Sequence, residues 1–171
     1  AAENPKFDSR NDCNALIETE TNKLIVGCNT STVPVGIVVI ADSAFASCKD
    51  LTSIVIPDGV INLGYKAFYG CTGLTEVSIP NGVMAIKSST FADCSRLANI
   101  TIPESVITIG SSAFKGCVAL ANVTIPDGVT TIEEDAFENC HSLVNVTIPK
   151  SVSGSLVAFD NCVNLESVNI P

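Results

Sequence analysis

Apolar residues recur along this chain in a register of 23 positions. In PDGVTTIEEDAFENCHSLVNVTI (126–148) they are Val129, Ile132, Ala136, Phe137, Cys140, Leu143, Val146 and Ile148. Neighbouring stretches fill the same eight columns with few exceptions, such as Thr90 where the others carry Ala. Prolines mark the period at 34, 57, 80, 103, 126 and 149, and Pro171 falls one residue short of the next mark. Phenylalanines follow at 45, 68, 91, 114, 137 and 159, and cysteines at 48, 71, 94, 117, 140 and 162. The chain therefore divides into six units, 34–56, 57–79, 80–102, 103–125, 126–148 and 149–170. A period of this length belongs to stacked repeats, in which one unit is too small to bury its own apolar face and the stack becomes the core.

Within a unit, LVNVTI (143–148) alternates apolar with polar and is rich in β-branched residues, the pattern of a short half-buried strand. Pro149 cannot donate to a ladder and restricts the residue before it, so the strand stops there. Asp127-Gly128, and its equivalents Asp58-Gly59 and Asn81-Gly82, signal a turn. The stretch EEDAFENC suits a short helix or helical turn, with Phe137 and Cys140 three apart on one face. The expectation is an α/β solenoid. Parallel strands near 53–56, 76–79, 99–102, 122–125, 145–148 and 167–170 would form one curved sheet on the concave side, with helical turns on the convex side.

The strand motif LxxIxI (Leu51, Ile54, Ile56; Leu120, Val123, Ile125) resembles the LxxLxL of leucine-rich repeats. The full unit, IPxxVxxIxxxAFxxCxxLxxVxIP, is similar to the BspA-like subclass over residues 34–171. That resemblance implies a right-handed superhelix and a place on bacterial or protist cell surfaces, with adhesion or recognition through the strand face. It carries over no particular binding residue. The last unit departs from the pattern: SVSGSLVAF is one residue short before Phe159, so either Ser155 or Leu156 must serve as its core residue.

Residues 1–33 lie outside the repeat and read as an N-terminal cap. CNALIETETNKLIVGC (13–28) forms a hairpin centred on Glu20-Thr21, in which Ile17 meets Leu24 and Glu18 meets Lys23 as an opposite-charge pair. Cys13, Ala15, Ile17, Leu24, Val26 and Cys28 then share one apolar face able to close the end of the solenoid. This register sets Cys13 opposite Cys28, as a candidate disulfide or as two reduced packing thiols. No comparable cap is evident after residue 170, which suggests a fragment of a longer protein or an interaction end.

Composition narrows the function classes. Hydrophobic residues are 46% of 171 but aromatics only 5%, so the core is aliphatic. A net charge of -9 argues against nucleic acid and against anionic membrane surfaces. No apolar run reaches the roughly 20 residues of a membrane span, and the first residues do not form a signal peptide. Either a cytoplasmic chain or a secreted or surface chain whose signal was removed satisfies these observations, and the resemblance favours the second.

Candidate chemistry is sparse. The repeat cysteines occupy an apolar column with no CxxC pair and no His at ligand spacing, so they read as buried hydrophobes. His141, the lone histidine, reads as a surface residue. Glu133, Glu134, Asp135 and Glu138 lack the alternating spacing of a calcium loop and read as a solvated face. Asn-x-Ser/Thr triplets at 29, 99, 122 and 145 match the N-glycosylation pattern, but the last three are by-products of the repeat inside strands. No phosphate loop or nucleophile elbow is present, so no enzyme, metal or cofactor is expected.

The strand face is the candidate site: Glu76, Ser78, Asn99, Thr101, Asn122, Thr124, Asn145 and Thr147 are expected to point outward, flanked by Ser53, Val55, Ser167 and Asn169. Stacked amides and hydroxyls could bond one another and leave a bland β surface, or they could receive a protein or glycan partner. Three functions remain: a binding or adhesion module, an architectural spacer in a larger surface protein, and a Thr array that orders water. The intervening Asn column and the expected curvature argue against the last.

Overall fold

The computed structural model describes residues 6–153 and 157–170; the choice between Ser155 and Leu156 lies outside them. The strands among these residues are β1 Phe7–Asp8, β2 Leu16–Glu18, β3 Lys23–Val26, β4 Val39–Ile40, β5 Asn62–Leu63, β6 Glu76–Ser78, β7 Ala85–Ile86, β8 Asn99–Thr101, β9 Thr108–Ile109, β10 Asn122–Thr124, β11 Thr131–Ile132, β12 Asn145–Thr147 and β13 Ser167–Asn169. They belong to stacked coils. Each coil sets its residues over their equivalents in the next, as the pairing of Asn122 with Asn145 and of Asn145 with Ser167 shows.

The motif strands pair in parallel as β6–β8 and as β10–β12–β13, and Ser53 adds a bridge to Glu76. The expected single sheet is thus two ladders, with β8 and β10 side by side but not laddered. Each strand ends before a proline, and the following turn is closed by a Val or Ile N–H donating to the proline carbonyl, as from Val60 to Pro57 at 3.0 Å.

After that turn comes a second set of parallel strands that the sequence pattern did not announce. β4–β5 and β7–β9–β11 are two residues each, with Ile40, Leu63, Ile86, Ile109 and Ile132 buried. The stack explains them, because any extended pair of residues lies beside an equivalent pair and satisfies its peptide groups there.

Of the helical turns expected on the convex side, the described residues of the repeats show only a 3₁₀ turn at Val157–Phe159, and the other 3₁₀ turn, Arg10–Asp12, precedes the repeats. In EEDAFENC the N–H groups of Ala136, Glu138 and Cys140 close four-residue turns, while those of Phe137 and Asn139 donate to Ala158 and Asp160 of the next coil. Alternation of this kind needs left-handed residues, and Asp135 (φ 59) and Asn139 (φ 60) supply them. Their equivalents Ser112 and Gly116 do the same one unit earlier. An α-helix, whose N–H groups all point along one axis, is incompatible with both features.

The core is a lattice of columns. Phe45, Phe68, Phe91, Phe114, Phe137 and Phe159 stack with centroids 5.1–5.6 Å apart. Cys71, Cys94, Cys117, Cys140 and Cys162 each donate S–H to the Phe carbonyl of the preceding coil at 3.1–3.3 Å. The cysteine column is therefore a hydrogen-bonding element as well as an apolar one. Thr90, in the Ala column, is fully buried and donates to the Lys87 carbonyl at 2.8 Å.

The N-terminal hairpin joins this lattice through the second sheet: β3 runs parallel to β4, and β1 pairs antiparallel with β2. Gly27 stands in the place of a phenylalanine. Its N–H donates to Ala44 at 2.8 Å as each Phe N–H does to the next coil, its carbonyl lies 3.9 Å from Cys48 Sγ, and a Cβ there would meet the Phe45 ring at 2.1 Å.

Candidate functional site: the strand face

Alternation along the motif strands turns Val77, Val123 and Val146 inward and leaves the flanking polar residues exposed. Parallel register then aligns two rows. Ser53, Glu76 and Asn99 lie on successive coils, as do Asn122, Asn145 and Ser167. Ser78 pairs with Thr101 and Thr124 with Thr147 in the second row. Every binding residue expected from the sequence is exposed on this face.

Stacked amides and hydroxyls scarcely bond one another along the face. Among the described residues, only Ser167 Oγ and Asn145 Oδ1 join two side chains of it, at 2.5 Å. The remaining Asn and Thr groups keep their donors and acceptors for solvent or a ligand. Over the first three coils, Ser53, Val55, Glu76, Ser78, Asn99 and Thr101 surround a cavity of about 400 Å³ with Ile54, Ile56 and Val77 in its walls. Val55 is 81% exposed there. Sequence reasoning placed the face but not this concavity, which spans the Ser-x-Val and Glu-x-Ser strands and the first of the three Asn-x-Thr strands.

The other candidate groups do not converge on this face. The hairpin pairs Ile17 with Leu24 and Glu18 with Lys23, but a bulge between Leu16 and Ile17 shifts its outer part, so Leu16 faces Val26. Cys28 consequently lies against Asn14, whose Nδ2 is 3.3 Å from the sulfur, and Val26 is exposed rather than apolar lining. Cys13 is buried, Cys28 is exposed and both are free thiols; the register that set them opposite each other does not hold. Hydrogen bonds from Ser31 and Thr30 lower the Cys28 thiol to about 7. Burial pushes Cys48 up to about 11 and drives Cys117 and Cys140 further upward.

Lys115 pairs with Glu138 and lies 3.8 Å from Asp135, and Glu133 accepts the Ser111 N–H at 2.8 Å. Glu133, Asp135 and Glu138 thus have partners of their own, and no group of three or more His, Cys, Asp or Glu side chains is placed to hold a metal among the described residues. His141 is half-buried. No helix among the described residues is long and apolar enough to cross a membrane.

Repeated coils with a parallel motif-strand face, a proline stop and an LxxIxI strand define a leucine-rich-repeat solenoid. More specifically, residues 38–166 match the BspA type leucine rich repeat region in six copies, and the chain belongs to that family. It is similar to a leucine-rich repeat protein of Bacteroides ovatus, with 30% identity and a TM-score of 0.75 over 98% of this chain and 46% of that one. A leucine rich repeat protein of T. pallidum is 26% identical, with a TM-score of 0.72 over 99% of this chain and 80% of that one. A leucine rich cell surface protein of Faecalibacterium prausnitzii is 27% identical, with a TM-score of 0.63 over 96% of this chain and 39% of that one. The chain thus spans less than half of the Bacteroides protein. No match is found among curated proteins.

Proposed function

We propose that this chain is a non-enzymatic recognition module displayed at a cell surface or secreted, which engages a protein or glycan partner through its strand face. The observation that carries the reading is chemical. The face presents chiefly polar side chains in two aligned rows, and these are almost unbonded to one another, while the strands beneath pair in parallel as β6–β8 and β10–β12–β13. A surface serving only structure would gain from bonding its own groups, whereas a surface that leaves them open keeps them for a partner. The Faecalibacterium relative described as a cell surface protein supports the location. The face carries no Trp, Tyr or Arg anchor, so affinity per site is modest and repeated copies supply avidity.

The test replaces Asn99 and Asn122 by Lys and compares binding to immobilised matrix proteins and glycans by surface plasmon resonance. Both positions are exposed and tolerate the change, with stability altered by about 0.5 kcal/mol or less. Lost binding by the folded variant supports the reading. Undiminished binding to every ligand that the parent binds would leave the chain an architectural spacer.

A further inference from the structure

Of the twelve outward positions on the motif strands, Glu76 alone is charged. It lines the cavity over the first three coils, is exposed, and makes no ion pair or side-chain hydrogen bond among the described residues. From this we infer, resting on the strand-face reading above, that the cavity takes a Lys or Arg side chain of an extended polypeptide.

Three observations point to that chemistry. A single uncompensated carboxylate in a chain of net charge -9 attracts cations and repels anions. Beside it, Val55 stands 81% exposed and Val77 lies in the cavity wall, an apolar surface for the methylene stem that Lys and Arg bury while their charged ends stay polar. Ser78, Asn99 and Thr101 flank the carboxylate with hydroxyl and amide groups able both to donate and to accept, as the peptide groups on either side of a basic residue require. A saccharide fits less well, because no aromatic ring stands on the face for a pyranose to stack against.

The experiment pans a random heptapeptide phage library on the whole chain, on Glu76→Gln and on Glu76→Lys, then measures enriched synthetic peptides by fluorescence polarisation. The parent should enrich Lys or Arg beside apolar residues. Glu76→Gln should bind those peptides about tenfold more weakly, and Glu76→Lys should shift enrichment towards Asp and Glu. Parent binding should also weaken with added salt. Melting temperatures of the three proteins should agree, since the residue has no internal partner.

Several results would overturn the inference. One is enrichment of peptides without basic residues. Others are the same peptides selected by parent and Glu76→Lys, no enrichment at all, or tighter binding of a chitosan hexasaccharide than of the best peptide. If peptides without basic residues are selected and their binding is lost in the Asn99→Lys, Asn122→Lys variant, the strand-face reading stands while this inference falls.

Discussion

Phe114→Ala tests whether the phenylalanine column holds the solenoid together. Phe114 is fully buried, stacked on Phe91 at 5.6 Å and on Phe137 at 5.1 Å. Truncation removes the ring from between two others and leaves a void that the flanking coils cannot close, because their backbones are pinned. Phe91 N–H donates to Ala113 and Phe114 N–H to Ala136, both within 2.9 Å. The expected loss is about 3–5 kcal/mol, the usual cost of removing a buried phenylalanine ring. That includes two ring contacts each worth roughly 0.5–1.5 kcal/mol. Phe159 is half-buried and stacks on Phe137 alone, so Phe159→Ala should cost about half as much. Urea denaturation followed by circular dichroism, with fluorescence of an appended dye as a second probe, measures both. Equal losses at the two positions would refute the column as the unit of stability.

The thiols should separate by environment. Cys28 should react quickly with a chromogenic disulfide reagent, its rate rising with pH through about 7 as the thiolate forms, and Ser31→Ala should move that midpoint upward. Cys71, Cys94, Cys117 and Cys140 should react only after unfolding, and fast labelling of any of these four in the native protein would contradict their burial. Gly27→Ala should destabilise by about 1–3 kcal/mol, because the new methyl meets the Phe45 ring while that ring is held against Phe68; an unchanged denaturation midpoint would refute it. Thr90→Ala should cost less than about 1 kcal/mol, since it removes donor and methyl together and leaves the Ala of the other units; a loss above roughly 2 kcal/mol would show that the hydroxyl is structural.

The sequence revealed what depends on burial. Columns such as Val129, Phe137 and Leu143 are apolar because they are interior, so periodicity found the coils, the motif strands and the outward face directly. Backbone direction was less visible. EEDAFENC has helical spacing and helix-forming residues, yet Asp135 and Asn139 take positive φ and the stretch becomes alternating turns. A signal existed: the equivalent of Asn139 is Ser47, Gly70, Asp93, Gly116 or Asn161, all small or able to adopt the left-handed region. The second sheet left a weaker trace, because Asn62-Leu63 and Thr108-Ile109 are too short to show alternation and pair only because the stack aligns them. The bulge at Leu16 was invisible for a similar reason, since nothing in the residue types there demands an extra position.

The physical division within each coil explains why a site can arise on this face at little structural cost. Interior columns are coupled from coil to coil: each ring touches the next, the cysteines from Cys71 onward bond the preceding Phe carbonyl, and the Phe N–H groups from Phe45 to Phe137 bond the following coil. A change there is felt by its neighbours. Outward strand positions carry little such coupling, because the parallel ladders beneath them are made by backbone and, among the described residues, a single hydrogen bond joins two of their side chains. They need only be compatible with an extended backbone, a condition that Ser, Val, Glu, Asn and Thr all meet here. The third, fourth and fifth coils fill those positions with Asn and Thr, whereas the first two carry Ser53, Val55, Glu76 and Ser78. The cavity lies where that departure occurs, and so does the face's lone charge. Core energetics do not account for the departure, since the inward residues Ile54 and Val77 continue the pattern without a break. What differs is the chemistry offered to solvent, and under the proposed function that difference is what a partner reads.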